Sequence, residues 1–326
     1  MTEPNLAPTP SRLAVMAAFA AIYLIWGSTY LGIRIAIETL PPFFMAGVRF
    51  LVAGGLLYIW ARLRGAPRPT RSNWGATLII GGLLLLGGNG GVTWSEQTVP
   101  SGLVALLVAL VPLWVVVIDW LRPGGVRPSA PIIGGLVLGL AGMVLLIGPG
   151  DIGGGSSVGL VDTLVLMGAS LSWSIGSVYS RYAALPESPL MTTAMEMLCG
   201  GALLSALGGL TGEWSRLDLG VVSLRSIFAL AYLIVFGAIV AFSAYTWLLR
   251  VVPPARAATY AYVNPVVAVV LGALAGEPLT ARTLIAAVII IIAVVLITTY
   301  RLQGAVPPVR PSPVQEVEQQ IAGLGD

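Results

Sequence analysis

The side chains of this sequence that could do chemistry are mostly aromatic or hydroxyl-bearing rather than ionisable. Trp26, Ser28, Thr29 and Tyr30 form one such group, and Trp173, Ser174 and Tyr179 repeat its pattern in the second half. Aromatic faces can hold apolar or cationic parts of a small solute; hydroxyls beside them can orient its polar groups. Asn89, inside Gly87-Gly88-Asn89-Gly90-Gly91, and Asn264, beside Tyr260 and Tyr262, are uncharged polar groups in otherwise apolar stretches. A buried amide there needs a partner or a wet cavity. Pro112 and Pro265 each remove a backbone donor and free the carbonyl four residues earlier, at Val108 and Ala261, so kinks are predicted at both. Arg49 and Glu196 are ionisable residues within apolar runs and hence candidates for gating or coupling. The alternative is structural, with Arg49 paired to Glu38 or Glu96 and Glu196 paired to a loop arginine.

What is missing excludes much. All 17 basic residues are arginine, and there is no histidine. A Walker loop needs lysine, a Ser/His/Asp triad needs histidine, and zinc-protease motifs need two. The single Cys199 lies in an apolar run and permits neither an intramolecular disulfide nor a cysteine metal cluster. No cofactor, metal or nucleic acid is expected, and no catalytic residue is assigned. An intramembrane aspartyl protease built on Asp119 and Asp162 would need both carboxylates to share a proton, whereas the first is predicted near the inner face and the second near the outer.

These groups must be carried on membrane-spanning helices. Charged residues make up 10% of the chain and hydrophobic ones 57%, against about 25% charged in ordinary soluble domains. Crossing a bilayer takes about 20 apolar residues, and ten such runs occur, at 13–36, 43–62, 74–95, 102–121, 131–149, 159–181, 190–210, 225–249, 256–275 and 281–300. Residues 1–11 form a polar, Pro-rich head and 302–326 a polar tail, both predicted to be disordered. The first run is too long for a signal peptide and belongs to the repeat described next.

One constant offset of 147 carries Trp26 to Trp173, Arg34 to Arg181, Pro42 to Pro189 and Arg49 to Glu196. A second offset of 153 carries Trp94, Pro100 and Pro112 to Trp247, Pro253 and Pro265, which places a six-residue insertion in the run Gly212–Leu224. The chain therefore reads as two repeats, 12–149 and 159–301, of five spans each. An odd span number inverts the second copy, and in transporters such a repeat points to a site at the interface of the halves. Arginines cluster in the loops on the side of the termini (Arg62, Arg64, Arg68, Arg71, Arg122, Arg127, Arg181, Arg250, Arg256), which predicts that both termini are cytoplasmic.

The segments WGSTYLGIR, PPFFMAGVRFLVAGG, GNGGVTWSEQTVPSG, SWSIGSVYSR and TYAYVNPVVAV resemble the EamA family of the drug/metabolite transporter superfamily, in particular its YedA-like bacterial inner-membrane members. The resemblance runs from about Leu13 to Arg301. It implies an all-α membrane protein of ten transmembrane helices in two inverted five-helix repeats, exporting small metabolites such as amino acids or drug-like compounds.

The resulting expectation is an alternating-access exporter in the bacterial inner membrane. Its site residues would be Trp26, Ser28, Thr29, Asn89, Trp173, Tyr179, Tyr245, Tyr260 and Asn264, with Arg49 and Glu196 as gating or coupling candidates. Its partners would be the solute and the lipid bilayer, with a homodimer allowed. A lipid scramblase or a non-transporting receptor would share the spans, and solute flux separates them.

Overall fold

Short capping devices set where several helices begin and end. Ser11 accepts a hydrogen bond from Ala14 N, Thr70 and Asn73 cap each other's backbone, and Ser188 and Ser223 accept from Met191 N and Ser226 N. Proline opens the helices at Pro42 and Pro189, where a missing donor costs nothing. Gly65 and Gly212 follow the same two helices with φ of 83° and 74°, a left-handed conformation that ends a helix. Both pairs obey the offset of 147.

The computed structural model describes residues 11–121, 127–147, 159–252 and 260–303. The first half holds α1 (Arg12–Ala36), α2 (Pro42–Leu63), α3 (Arg71–Gly81), a π-helical segment π1 (Gly82–Asn89), α4 (Gly90–Ser95), α5 (Ser101–Val108), α6 (Val111–Leu121) and α7 (Ala130–Ile147). The second holds α8 (Leu160–Tyr179), α9 (Pro189–Leu210), α10 (Glu213–Arg216), α11 (Leu224–Tyr232), π2 (Leu233–Val240), α12 (Ala241–Val251), α13 (Tyr260–Leu274) and α14 (Ala281–Gln303). Among the described residues every regular element is helical. With continuous runs joined, eight helices are long and apolar enough to cross a membrane, and two more, Ala130–Leu146 and Tyr260–Leu274, are apolar but shorter. These two fall on the predicted spans five and nine. Nearly all of the head and tail, the Gly-rich run 148–155 and Pro253-Pro254 lie outside the described residues.

Repeat-equivalent helices pack on each other. A Cβ added at Gly47 would meet Ser205, one at Gly201 would meet Leu51 N at 2.8 Å, and one at Gly54 would meet Ala194 O and Leu198 N at 2.9 Å. Rising numbers on α2 thus face falling numbers on α9, so the pair is antiparallel. Gly135 and Gly142 bring α7 onto α14 in the same way, against Ile297 and Ile290. Close approach through glycine gives dispersion contacts that a bilayer cannot supply by the hydrophobic effect. Around these seams lie buried Phe50, Leu57, Met197 and Leu204, and a larger cluster that includes Leu106, Leu107, Leu110, Ile290 and Val294. Large apolar side chains also face outward, including Leu56, Ile59, Val144, Leu164, Phe228 and Val288, as a lipid-facing surface requires.

The two prolines behave differently. Span four breaks at Ala109-Leu110, just before Pro112, and Val111 O then accepts from Ser174 Oγ at 3.2 Å. Trp114 Nε1 donates to Ser170 Oγ at 3.1 Å, so the serines of α8 brace the broken helix. By contrast α13 continues through Pro265.

Candidate solute site

The two π-helical segments occupy corresponding helices, the third of each half. Their i→i+5 bonding widens the helix and leaves carbonyls to outside donors. Ser172 Oγ donates to Leu83 O of π1 at 2.7 Å, and Trp26 Nε1 donates to Gly237 O of π2 at 3.2 Å. Each π segment is thus engaged by the first helix of the opposite half. The Gly87–Gly91 run serves close approach as well as the wide turn: Cβ atoms at Gly88 and Gly91 would stand 2.8 Å from Trp173 and Ala169.

Trp26 is the centre of a four-ring cluster. Its ring centroid lies 5.3 Å from Phe242, 5.3 Å from Tyr245 and 5.1 Å from Tyr260, with edge-on or tilted planes, and Tyr245 meets Tyr260 edge-on at 5.7 Å. Such geometry sets the positive edge of one ring against the negative face of another. Asn264 is buried, its Oδ1 has no hydrogen-bond partner, and its carbonyl lies 3.2 Å from where a Cβ on Gly27 would stand. Trp26 and, more than 200 residues later in the sequence, Tyr245, Tyr260 and Asn264 are therefore brought to one place.

The other predicted residues stand apart from this cluster. Ser28 Oγ is 2.5 Å from Tyr232 OH, and Thr29 Oγ1 donates to Trp26 O, one turn back on its own helix. Trp173 packs on Gly88, next to Asn89, whose Oδ1 is buried and without a partner, so these two form a second group against π1. Tyr179 is exposed at the end of α8 and joins neither group.

Arg49 is buried, its guanidinium 4.8 Å from the Phe50 ring centroid and its Nη2 3.2 Å from a Cβ position on Gly237. The carboxylate acting on it is Glu96, one of the two partners expected from sequence. Glu38 instead pairs with Arg225 at 3.3 Å. Glu196 is half-buried where α9 crosses α3 at Gly81, and among the described residues no arginine pairs with it.

Several positions escaped the sequence reading. Phe242 shares a helix face with Tyr245, an i, i+3 aromatic spacing that could have flagged it. Glu213, in the six-residue insertion, accepts from Phe44 N at 2.8 Å at the start of α2; Phe43 and Phe44 amides and Arg216 favour its charge, yet burial is the larger influence and raises its carboxyl. Glu277 accepts from Ser101 N at 2.9 Å and Gly102 N at 3.2 Å at the start of α5. Neither carboxylate has a local motif, because each caps a helix of the other half.

The sequence matches the EamA-like transporter family twice, over residues 13–148 and 162–299. It is 42% identical over 310 residues to the inner membrane transporter YedA of Escherichia coli K12, covering 94% of this chain and 98% of that one. It is 26% identical over 291 residues to the transporter YvbV of Bacillus subtilis, covering 89% and 92%. A crystal structure 21% identical in sequence superposes with a TM-score of 0.60, over 91% of this chain and 100% of that one, and speaks to the fold alone. With two family matches across most of its length and a relative this similar from end to end, the chain belongs to the EamA-like transporter family.

Proposed function

We propose that this protein is a secondary transporter that exports a small organic solute, an amino acid or a drug-like compound, across the bacterial inner membrane by alternating access. Ten spans in two inverted repeats, 12–149 and 159–301, carry it, and both termini are cytoplasmic. The observation that carries the reading is the four-ring cluster around Trp26, set where α1 of one half meets π2, α12 and α13 of the other. Antiparallel packing of α2 on α9 supports the inversion. Among the described residues no charged side chain belongs to the ring cluster, so a neutral or zwitterionic solute fits better than a strong anion; a cationic drug would be held by ring faces. Phe242 joins the site, while Trp173 and Asn89 line its counterpart against π1.

The test is efflux of labelled amino acids and cationic drugs from proteoliposomes holding the purified chain. Saturable efflux of at least one compound above protein-free vesicles is expected. Redistribution of labelled lipid with no solute flux would replace the transporter by a scramblase.

Orientation is tested separately in intact cells. In Cys199→Ser protein, Ser72→Cys and Ser188→Cys should resist an impermeant thiol reagent and Ser215→Cys should react. Labelling at Ser188→Cys from outside would remove the inverted arrangement.

A further inference from the structure

The turn between α4 and α5 holds a carboxylate that nothing in the transport site uses. Glu96 is 0% exposed and neither of its carboxylate oxygens has a hydrogen-bond partner. Ser95 Oγ and Ser101 Oγ, on residues equally buried, also lack partners. Burying an ionised carboxylate without donors is unfavourable, so such a group ordinarily neutralises.

Its surroundings decide what neutralises it. From α1, Arg34 donates to the backbone carbonyl of Glu96 while its charge also acts on the carboxylate, and Tyr30 faces it too. From α2 comes Arg49, within electrostatic reach but without a salt bridge among the described residues. From the second half comes Glu277, whose oxygens are taken by Ser101 N and Gly102 N. Ser101 Oγ lies beside that carboxylate, the two being 3.4 and 2.4 Å from one Cβ position on Gly272. A metal cation here would meet two guanidinium groups and one carboxylate already engaged by amides. A proton needs no space and removes the buried charge of Glu96.

We propose that Glu96 is a proton-binding site formed between the two halves: with the proton bound, Glu277 stays seated on the α5 helix and this end of the molecule is closed, and loss of the proton sets two carboxylates against each other and releases the Glu277 turn. The proton comes from water on the side of that turn and returns there when the turn withdraws; no bond other than the carboxyl O–H is made or broken. Burial first, then the Glu277 charge, hold the Glu96 carboxyl well above the usual carboxylate range, against the opposing pull of Arg34 and Arg49. The step from closure to transport rests on the function proposed above; proton binding itself does not.

The experiment is an infrared pH titration of the purified full-length chain in lipid. A carboxylic-acid carbonyl band should persist to a pH where exposed carboxylates are ionised, lose in Glu96→Gln the component that Glu96 contributes beside other buried carboxyls such as Glu213, and have that component titrate at lower pH in Glu277→Gln, which removes the repelling charge. A band identical to wild type in Glu96→Gln, or an unmoved midpoint in Glu277→Gln, would overturn the proposal. Should Glu277→Gln fail to fold, thermal unfolding against pH decides. A carboxyl raised in the folded state stabilises the fold below its unfolded value, and that stability is lost as pH rises through the folded one. Wild type should therefore lose melting temperature with rising pH over a range where Glu96→Gln does not, and parallel curves would sink the idea. Solute flux with no titrating Glu96 would reject the proton site and keep the transporter. A titrating Glu96 with no solute flux would keep the site and reject transport.

Discussion

Thr39→Cys with Ser223→Cys in Cys199→Ser protein, once oxidised, will bring solute flux down to the level of protein-free vesicles, and reduction will restore it. Thr39 Oγ1 accepts from Ser223 N at 3.1 Å and lies 3.5 Å from Ser223 Oγ, so two sulfurs at these positions need only a small approach to reach bonding distance. The bond would join the halves at the end where they already meet through Ser226 Oγ to Ile35 O, Arg225 to Glu38, Thr98 to Asp162 and Glu213 to Phe44 N. All four links run between the first and second half, so opening that end must part them together. Each is individually modest, about 1 kcal/mol for a typical hydrogen bond and less for an exposed ion pair. A covalent tie is not modest. Wild-type flux from protein shown by gel mobility to be fully crosslinked would mean that this end does not open during transport.

Trp26→Ala is the second large change expected. It empties the middle of the ring cluster and leaves Gly237 O without its indole donor. Loss of a packed tryptophan costs stability of about 3–5 kcal/mol where the site cannot collapse, and loss of a ring contact to the solute costs affinity of about 0.5–2 kcal/mol. Trp26→Phe separates the two, since it keeps an aromatic ring at the centre of the cluster while removing the hydrogen bond and only part of the packed volume. Apparent affinity should fall about twofold to about thirtyfold in Trp26→Ala and stay near wild type in Trp26→Phe. Unchanged affinity in Trp26→Ala at wild-type expression would return Trp26 to a packing role.

What could be read from the sequence follows the range of the interactions. Pro42 and Pro189 start helices and Gly65 and Gly212 end them for reasons internal to a few residues, so the helix boundaries and the duplication were visible. Apolar length likewise marked out, among the described residues, eight helices able to cross a membrane and two shorter apolar ones. The site was visible only in part. Repetition singled out Trp26 and Trp173 alike, yet among the described residues only the first of the two gathers other aromatic rings, because the partners come from α12 and α13 and no short-range pattern records which faces meet. Tyr179 carries the right chemistry and sits at a helix end, exposed. Glu277 looks like an ordinary turn residue in AGEPLT, and its role depends on a helix start some 176 residues earlier in the chain. Pro112 and Pro265 match under the repeat and differ in outcome, one beside a break that the hydroxyls of α8 support and the other inside a continuous helix.

The paired π segments bear on phase. An i→i+5 turn holds more residues than an α turn, so every side chain beyond it points in a direction rotated from the one a 3.6-residue period assigns. Phe242 and Tyr245 lie just beyond π2, and Thr93 and Ser95 just beyond π1. A helical wheel drawn through either whole span therefore puts these residues on the wrong side. Because both halves carry the wide turn in the same helix and over the same eight residues of length, the shift is common to the two. Each half is out of step with an ideal helix, and the two remain in step with each other.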